Sequence, residues 1–477
     1  MKRILLIALL LSSVIIYSGC DVSTPDQPEL NATQGQLATS KFVAIGNSLT
    51  AGFQSAGMVE TAQVNSFPNL IAQQLGKSDF QQPLIAEPGI GSTPGQSPLQ
   101  FVNGELVTEP VANPLALLKN ALLSRPYDNL GVPGATLNNV LTATSSANSN
   151  GNSFFDMILR NPNFGNTTQL QQAILLNPTL IILWIGNNDA LAAATAGGDL
   201  TRLTDIAAFT ADYTTLLTEI RTKTHAALIL ANIPYVTDIP FINALDGVVH
   251  PVMGVPVVST IAVVNGVNQV VPVDFNPLPT AELFIPLVTE ETGVEHITLP
   301  GLAMYEAGVG VPDSAALVAM GFPELSASAI QSGMIANGLN PTGQPLPGAV
   351  TLTADEGVAI KAAVDGFNAA IATLAQQFQA PVVDMNTALG TLNSSGIDGM
   401  SGKFVLLDPV NTAFSLDGVH PNDAGYAIIA NLFIQTINGM LDLAIEPVDV
   451  SYYAGQYVGK RISTISVEAA EQVKAIF

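Results

Sequence analysis

Three residues of this chain have the types and local settings that acyl transfer by a serine requires. Ser48 follows the apolar run 42–45 and a Gly-Asn pair, so a sharp turn of small residues can carry its hydroxyl to the end of a strand. Asp417 and His420 lie three residues apart in Asp-Gly-Val-His-Pro. There the carboxylate can accept from one imidazole nitrogen and leave the other to take the serine proton. Considered alone, Ser48 could be a helix cap. Asp417 could likewise cap a helix, with His420 as a surface histidine beside it.

Hydrogen-bond donors for a developing oxyanion are also available near predicted strand ends. The backbone N–H groups of Ser48 and Gly134 and the side-chain amide of Asn188 could converge on one oxygen. Glycine at position 134 lets the main chain approach a ligand closely, and Asn188 comes soon after the unbroken apolar run 180–185. The alternative is that Gly134 serves a tight turn and Asn188 only ends a strand.

The chain has four histidines, so the search for a general base is short. Asp246 and His250 form a near copy of the acid–base pair, with one extra residue between them and no amphipathic helix after them. His225, between a predicted helix and a strand, and His296, in an irregular region, are expected to be structural or solvated. His420 is therefore the expected base.

Predicted strands and helices alternate along most of the chain and would position these residues. Such alternation predicts a parallel sheet with helices on both faces. Ligands of parallel sheets bind beyond the carboxyl ends of the strands, where Ser48 would lie. Strands are predicted at 42–45, 127–136, 180–185, 226–231 and 381–384, and helices at 67–76, 168–176, 206–220, 354–378 and 424–441.

The alternation is lost between residues 240 and 349, where prolines and glycines are frequent. The Asn265-Gly266 dipeptide predicts a hairpin there. We interpret this region as an insertion or lid that interrupts one α/β domain. The predicted division is a first part of the domain over 41–240, the insertion over 241–349, a second part over 350–445 and a C-terminal extension over 446–477.

The first forty residues have the pattern of an export signal and a tether. Lys2-Arg3 precede an apolar run over 4–16 that is shorter than the ~20 residues needed to span a bilayer. The ending Tyr-Ser-Gly-Cys20 resembles a bacterial lipobox, which implies cleavage after a signal peptide over 1–19 and a lipid on the Cys20 sulfur. Residues 20–40 then form a flexible tether. We expect an exported lipoprotein of the bacterial outer membrane, facing the periplasm or the surface; an ordinary signal peptide is the alternative.

Composition excludes several classes of function. The 38 acidic and 15 basic residues give a net charge of −23, which disfavours nucleic-acid binding. A chain of 477 residues, 48% hydrophobic, can bury a large core. Its one cysteine excludes an internal disulfide and a thiolate zinc site.

Four short blocks, in order, resemble those of the SGNH (GDSL-type) hydrolases. The resemblance covers roughly 41–240 and 352–441. It implies a flavodoxin-like three-layer fold and the activity of an esterase, lipase, acyl-thioesterase or carbohydrate deacetylase. The blocks are Gly-Asn-Ser-Leu at 46–49, the turn over 129–136, Gly-Asn-Asn-Asp at 186–189 and Asp-Gly-Val-His-Pro at 417–421.

The same resemblance implies a role for each residue. Ser48 would be the nucleophile, His420 the base and Asp417 its orienting acid, while Ser48, Gly134 and Asn188 would form the oxyanion hole. The chain departs from the family pattern in having Asn beside the serine where Asp is usual.

We therefore expect a membrane-anchored serine hydrolase that cleaves lipid, acyl or acetylated-carbohydrate esters through an acyl-enzyme. It would need no metal and no cofactor. The alternative is a noncatalytic glycan-binding or surface-assembly lipoprotein on the same fold.

Overall fold

The computed structural model describes most of the chain beyond the predicted signal and tether. Cys20, the Asp246–His250 pair and the Asn265-Gly266 dipeptide lie outside the described residues. Those residues are 34–243, 255–256, 259–264, 267–272, 284–285, 287–336, 338–405, 407–457 and 464–474.

A five-stranded parallel sheet forms the centre of the fold. Its strands are β1 (Phe42–Gly46), β2 (Asn129–Gly131), β3 (Leu180–Trp184), β4 (Ala227–Ala231) and β5 (Val382–Val383). They lie in the order β2-β1-β3-β4-β5, and every neighbouring pair is parallel. All residues of β1 and β3 are buried, as expected of apolar runs covered on both faces. This order is the flavodoxin-like one and confirms the predicted α/β class.

Helices pack around the sheet in two groups. Helix α2 (Phe67–Gln74) packs against α9 (Asp423–Leu441). Helix α6 (Ile206–Lys223) packs against α3 (Leu137–Thr142), α4 (Gln169–Leu175) and α7 (Ala354–Gln377). By length and composition α7 and α9 could cross a membrane, but about half of each apolar window is buried inside the protein, as in core helices. The main helices are α1 (Ser48–Ala51), α2 (Phe67–Gln74), α3 (Leu137–Thr142), α4 (Gln169–Leu175), α5 (Asn188–Thr195), α6 (Ile206–Lys223), α7 (Ala354–Gln377), α8 (Met385–Ser394) and α9 (Asp423–Leu441).

Several helix starts are set by local side-chain caps. The side chains of Thr136, Thr168 and Thr353 each accept from the backbone N–H three residues on. The backbone N–H of each threonine in turn donates to the side chain of that later residue, which satisfies two otherwise unpaired donors. Ser66 caps α2 in the same position without the reciprocal bond. These local signals explain why the predicted helix starts agree with the observed ones to within a residue or two.

Shorter elements surround this core. The helices are Gln34–Ala38, Glu60–Gln63, Phe154–Leu159, Pro240–Asn243, Leu299–Glu306, Ser314–Ala319, Glu324–Ala336 and Val467–Lys474. The antiparallel strand pairs are Gly57–Met58 with Ile90–Gly91, Gln100–Val102 with Glu105–Val107, Val255–Pro256 with Phe284–Ile285, Ser259–Val264 with Val267–Pro272, and Val294–Ile297 with Thr351–Thr353. Thr464–Ile465 adds a parallel strand to Glu105–Val107.

The region predicted as an insertion contains both expected and unexpected structure. The strands Ser259–Val264 and Val267–Pro272 pair antiparallel, with Val264 opposite Val267, as the hairpin prediction requires. Three helices within 299–336 were missed, because prolines and glycines were interpreted as breaks. Tyr305, Leu317 and Met334 belong to a small buried cluster there, separate from the main core. The boundaries at 241 and 349 stay a prediction.

Candidate active site

Ser48 is the first residue of α1 and follows β1 after one intervening residue, Asn47. Asn47 is the helix cap, since its Oδ1 accepts from the backbone N–H of Leu49 at 3.1 Å. Its Nδ2 donates to Asn187 Oδ1 at 3.1 Å, which joins the turn after β1 to the turn after β3. A Cβ at Gly46 would lie 2.5 Å from the carbonyl oxygen of Trp184, so the strand end requires glycine. Ser48 is thus not needed as the cap.

Asp417 is fully buried and accepts hydrogen bonds from five donors. His420 Nδ1 and the backbone N–H of Ala56 bond to its Oδ2 at 2.9 and 2.6 Å. The backbone N–H groups of Val419 and His420 bond to its Oδ1 at 2.8 Å each. Ser415 Oγ completes the set at 3.1 Å. The hydrogen bond to His420 orients the imidazole and assigns a proton to Nδ1.

The charge state of Asp417 follows from this environment. Burial raises the pKa of the carboxyl, but the charge of His420 and the hydrogen bonds from His420 and Ala56 outweigh burial and hold the pKa below its usual value. Asp417 is therefore a carboxylate at neutral pH, although no solvent reaches it.

The loop 53–56, which follows α1, supports the acid and the base together. Ser55 and Ala56 have φ angles of 53° and 57°, in the left-handed region that side chains rarely adopt. That backbone directs the Ala56 N–H at Asp417 and the Ser55 N–H at Ser415 Oγ, 2.9 Å away. The ring of Phe53 lies 4.7 Å from the imidazole, centroid to centroid. Nothing in the local sequence indicated this loop as part of the site.

Two of the three predicted oxyanion residues, Gly134 and Asn188, lie on the turns that follow β2 and β3, and a hydrogen bond joins these turns. Asn188 begins α5, and its Nδ2 donates to the carbonyl of Ala135 at 2.9 Å. Gly134, one residue earlier, has a φ of 75°, and a Cβ there would lie 2.8 Å from Asn152 Nδ2. Asn188 is thus tied to the turn that carries Gly134.

Asp189, which the sequence analysis assigned no role, joins these two turns. It accepts from the backbone N–H of Leu137 at 2.9 Å and from Thr204 Oγ1 at 2.8 Å. Burial raises its pKa to about 6, although the hydrogen bonds from Leu137 and Thr204 lower it in part. The carboxyl therefore connects the start of α3 to the start of α5.

One apolar cavity brings most of the predicted site together. Ser48, Asn188 and His420 all line it, whereas Gly134 is not among its lining residues. The cavity has a volume of about 840 Å³, its opening to solvent included. Eight of the other lining residues belong to α8 and α9. The arrangement offers a hydroxyl, an oriented imidazole and an amide donor at one end of a space that a small ligand can fill.

Two of the other histidines, His225 and His296, do not line this cavity. His225 is exposed between α6 and β4, and His296 lies on a strand opposite Leu352. Within the part of the chain that the structure describes, no three His, Cys, Asp or Glu side chains are grouped as a metal site would require.

The family model described as GDSL-like Lipase/Acylhydrolase matches residues 42–248. This part of the chain belongs to the GDSL-like lipase/acylhydrolase family. The match confirms the SGNH (GDSL-type) resemblance and includes Ser48, Gly134 and Asn188. Asp417 and His420 lie beyond the match, and the fold returns His420 to the same cavity as Ser48. With this family match, the chain is a carboxylic ester hydrolase.

A solved structure to which the chain is similar is that of the lipase/acylhydrolase from Enterococcus faecalis. The sequence identity is 14%, and the alignment covers 86% of this chain and 98% of that chain. The TM-score of 0.28 is too low for this likeness to support a statement about fold or function. No curated protein matches the GDSL-like chain significantly.

Proposed function

We propose that the chain is an exported, membrane-anchored serine hydrolase that cleaves carboxylic esters through an acyl-enzyme on Ser48. The observation that supports the catalytic assignment is the shared cavity of Ser48, Asn188 and His420, with the imidazole held by Asp417 at 2.9 Å. These are the groups that a serine hydrolase needs, in a space from which side chains exclude much of the water.

In the first half of the reaction, the Ser48 oxygen attacks the ester carbonyl and His420 takes its proton. The tetrahedral oxyanion is held by the N–H of Ser48 and the amide of Asn188, with the N–H of Gly134 as the third proposed donor. The intermediate then collapses, the bond to the alcohol oxygen breaks, and His420 returns the proton to the departing alcohol. Asp417 stays ionised and stabilises the imidazolium.

In the second half, water attacks the acyl group on Ser48. His420 takes a proton from that water, and the same donors hold the new oxyanion. Collapse breaks the bond to Ser48, the proton passes to its oxygen, and a carboxylic acid leaves. No step requires a group that the chain lacks.

We also propose that Cys20 carries the membrane anchor. The proposal is supported by the lipobox-like ending of a positively charged, short apolar N-terminus. Several acyl chains, at about 0.8 kcal/mol per buried methylene, hold a protein stably at a membrane. Cleavage before Cys20 would remove Lys2 and Arg3 and no acidic residue, so the net charge would change from −23 to −25. That charge disfavours polyanionic substrates.

The test of the catalytic proposal is the variant Ser48→Ala, compared with the exposed-serine control Ser332→Ala. We expect Ser48→Ala to lose turnover of p-nitrophenyl butyrate and labelling by a fluorophosphonate probe, while its thermal unfolding midpoint stays that of the wild type. Ser332→Ala should keep both activities. Labelling of the Ser48→Ala variant would overturn the assignment. A folded wild type that neither labels nor turns over would favour the noncatalytic glycan-binding or surface-assembly alternative.

A further inference from the structure

Two helices present matched apolar faces to the candidate active-site cavity. We call the space between them the α8–α9 trough. On each helix the lining residues follow the spacing i, i+3, i+4, i+7, which places them on one face. The trough residues are Met385, Ala388, Leu389 and Leu392 on α8, and Gly425, Ile428, Ile429 and Leu432 on α9.

Few of the residues that line the cavity are polar. There are only five of them. Four of them lie on the turns after β1 and β3, and the fifth is the proposed base. No Asp, Glu, Lys or Arg lines the cavity within the described chain. An apolar chain placed against these walls would meet no charged side chain. The five polar residues are Asn47, Ser48, Asn187, Asn188 and His420.

The trough is long enough for more than an acetyl group. Gly425, at the start of α9, lies close to the histidine loop, since a Cβ on it would lie 2.8 Å from Pro421 Cβ. Leu432 lines the same cavity seven residues later, which is about 10 Å along a helix. An extended acyl chain of medium length would span that distance.

We infer that the α8–α9 trough binds the acyl chain of the substrate, and that the enzyme prefers esters of medium- and long-chain fatty acids to acetyl esters. The inference rests on the proposed function, because it takes Ser48 as the residue that receives the acyl group. The walls of this cavity away from the catalytic residues are apolar, and the cavity opens onto the nucleophile. That continuity favours a substrate chain over a second copy or a protein partner.

Burial of an acyl chain in the trough predicts a graded effect on rate. Each additional buried methylene should raise kcat/KM about fourfold until the chain fills the trough. Esters of acetylated sugars would gain nothing from these walls.

The fluorescence of Trp184 can report whether the α8–α9 trough is occupied. Trp184 is the single tryptophan and lines the cavity. Its indole N–H donates to the carbonyl of Asn232 at 3.1 Å, so the ring has a defined position. A brominated acyl chain in the trough should therefore quench the intrinsic tryptophan fluorescence.

The first experiment measures binding without catalysis, in the full-length Ser48→Ala variant. We expect a terminally brominated octanoate to quench Trp184 saturably and bromoacetate at the same concentration not to. Ala388→Phe, which fills the trough, should weaken the octanoate effect about tenfold or more. Thr391→Phe, on the exposed face of α8, should not. No saturable quenching by the octanoate would overturn the inference.

The second experiment measures turnover of p-nitrophenyl acetate and octanoate by otherwise wild-type chains. We expect the octanoate-to-acetate ratio of kcat/KM to exceed one and to fall about tenfold or more in Ala388→Phe, with Thr391→Phe unchanged. An unchanged ratio in Ala388→Phe, or a wild type that prefers acetate, would contradict the trough assignment. Absence of turnover for every ester, with quenching retained in the binding experiment, would instead reject the proposed function and support acyl binding.

Discussion

At the scale of single residues, the acid of the candidate triad depends on its neighbours. Three backbone N–H groups, a hydroxyl and an imidazole saturate both oxygens of Asp417. A carboxylate only accepts hydrogen bonds, so its two oxygens can pair with all five donors. An amide of the same size would place its own N–H donors against some of these donors. The site therefore requires the charge as well as the shape of aspartate.

Asp417→Asn should lower kcat for p-nitrophenyl esters roughly 10⁴-fold, the loss found when the acid of a Ser-His-Asp triad becomes an amide. The side-chain amide of this variant would also place an N–H group against one of the donors that Asp417 accepts from. This unpaired contact should lower the free energy of unfolding by about 1–3 kcal/mol. Steady-state kinetics and urea unfolding measure the two effects. The exposed Asp398→Asn is the control and should change neither. Wild-type kcat in Asp417→Asn would contradict a catalytic pair with His420.

Asp189 gives a stability prediction with a defined sign. Its folded pKa is about 6 against a usual value of 3.8, so the folded protein binds this proton more tightly than the unfolded chain does. The stabilisation is complete below the unfolded pKa and is lost as pH rises through the folded one. The free energy of unfolding of the wild type, relative to Asp189→Asn, should fall by about 2 kcal/mol between about pH 4 and pH 7. Urea unfolding at both pH values measures it, and a pH-independent difference would refute the burial effect.

At the scale of elements, the helix Val467–Lys474 supports the site from the far end of the chain. Gln472 Nε2 donates to the carbonyls of Ser97 at 2.6 Å and Ala56 at 3.3 Å. Ser92 Oγ donates to the carbonyl of Gln472 at 2.8 Å. Because the N–H of Ala56 bonds to the acid of the triad, this helix braces the loop 53–56. The region was predicted only as a C-terminal extension.

Gln472→Leu should remove the donor to both carbonyls while keeping the volume. We expect the free energy of unfolding to fall by about 1–3 kcal/mol and kcat to fall up to about tenfold, with KM unchanged, because the histidine and its acid shift relative to the nucleophile. The control is Glu468→Gln, a variant at an exposed position of the same helix. If stability falls but kcat does not, the helix stabilises the fold without positioning the site.

At the scale of the whole molecule, the predicted anchor and the catalytic domain are separable. The described fold begins at residue 34, and the helix Gln34–Ala38 occupies part of the stretch predicted as a tether. The site residues that line the cavity all lie within 47–432. Loss of the anchor should therefore change where the protein is found without changing what it does.

Cys20→Ser, expressed from the full-length chain in a bacterial host, should move from the membrane fraction to the soluble fraction. Incorporation of radiolabelled palmitate should be lost, and kcat for p-nitrophenyl butyrate should match the wild type. Fractionation with immunodetection and metabolic labelling measure the first two effects. Retention of Cys20→Ser in the membrane with an uncleaved signal would show that the apolar segment, and not a lipid, is the anchor.

The sequence by itself determined the elements whose signals are local. Apolar runs predicted β1 and β3 to within a residue, and helical spacing predicted the starts of α4 and α6 to within one residue, because burial periodicity acts within a few residues. The Ser48, Asn188 and His420 motifs were recognisable for the same reason. Helix α8 was missed although Met385, Leu389 and Leu392 have helical spacing after the capping residue Asp384, a signal that could have been found.

Only the tertiary structure decided which distant residues meet. The left-handed backbone at Ser55 and Ala56 is stabilised by contacts more than 350 positions away, and Gln472 bonds across 416 positions. The trough exists because α8 and α9 face each other across a space, which no pattern within either helix specifies. Strand order and helix packing set such contacts, and these depend on burial summed over the whole chain, not on local spacing.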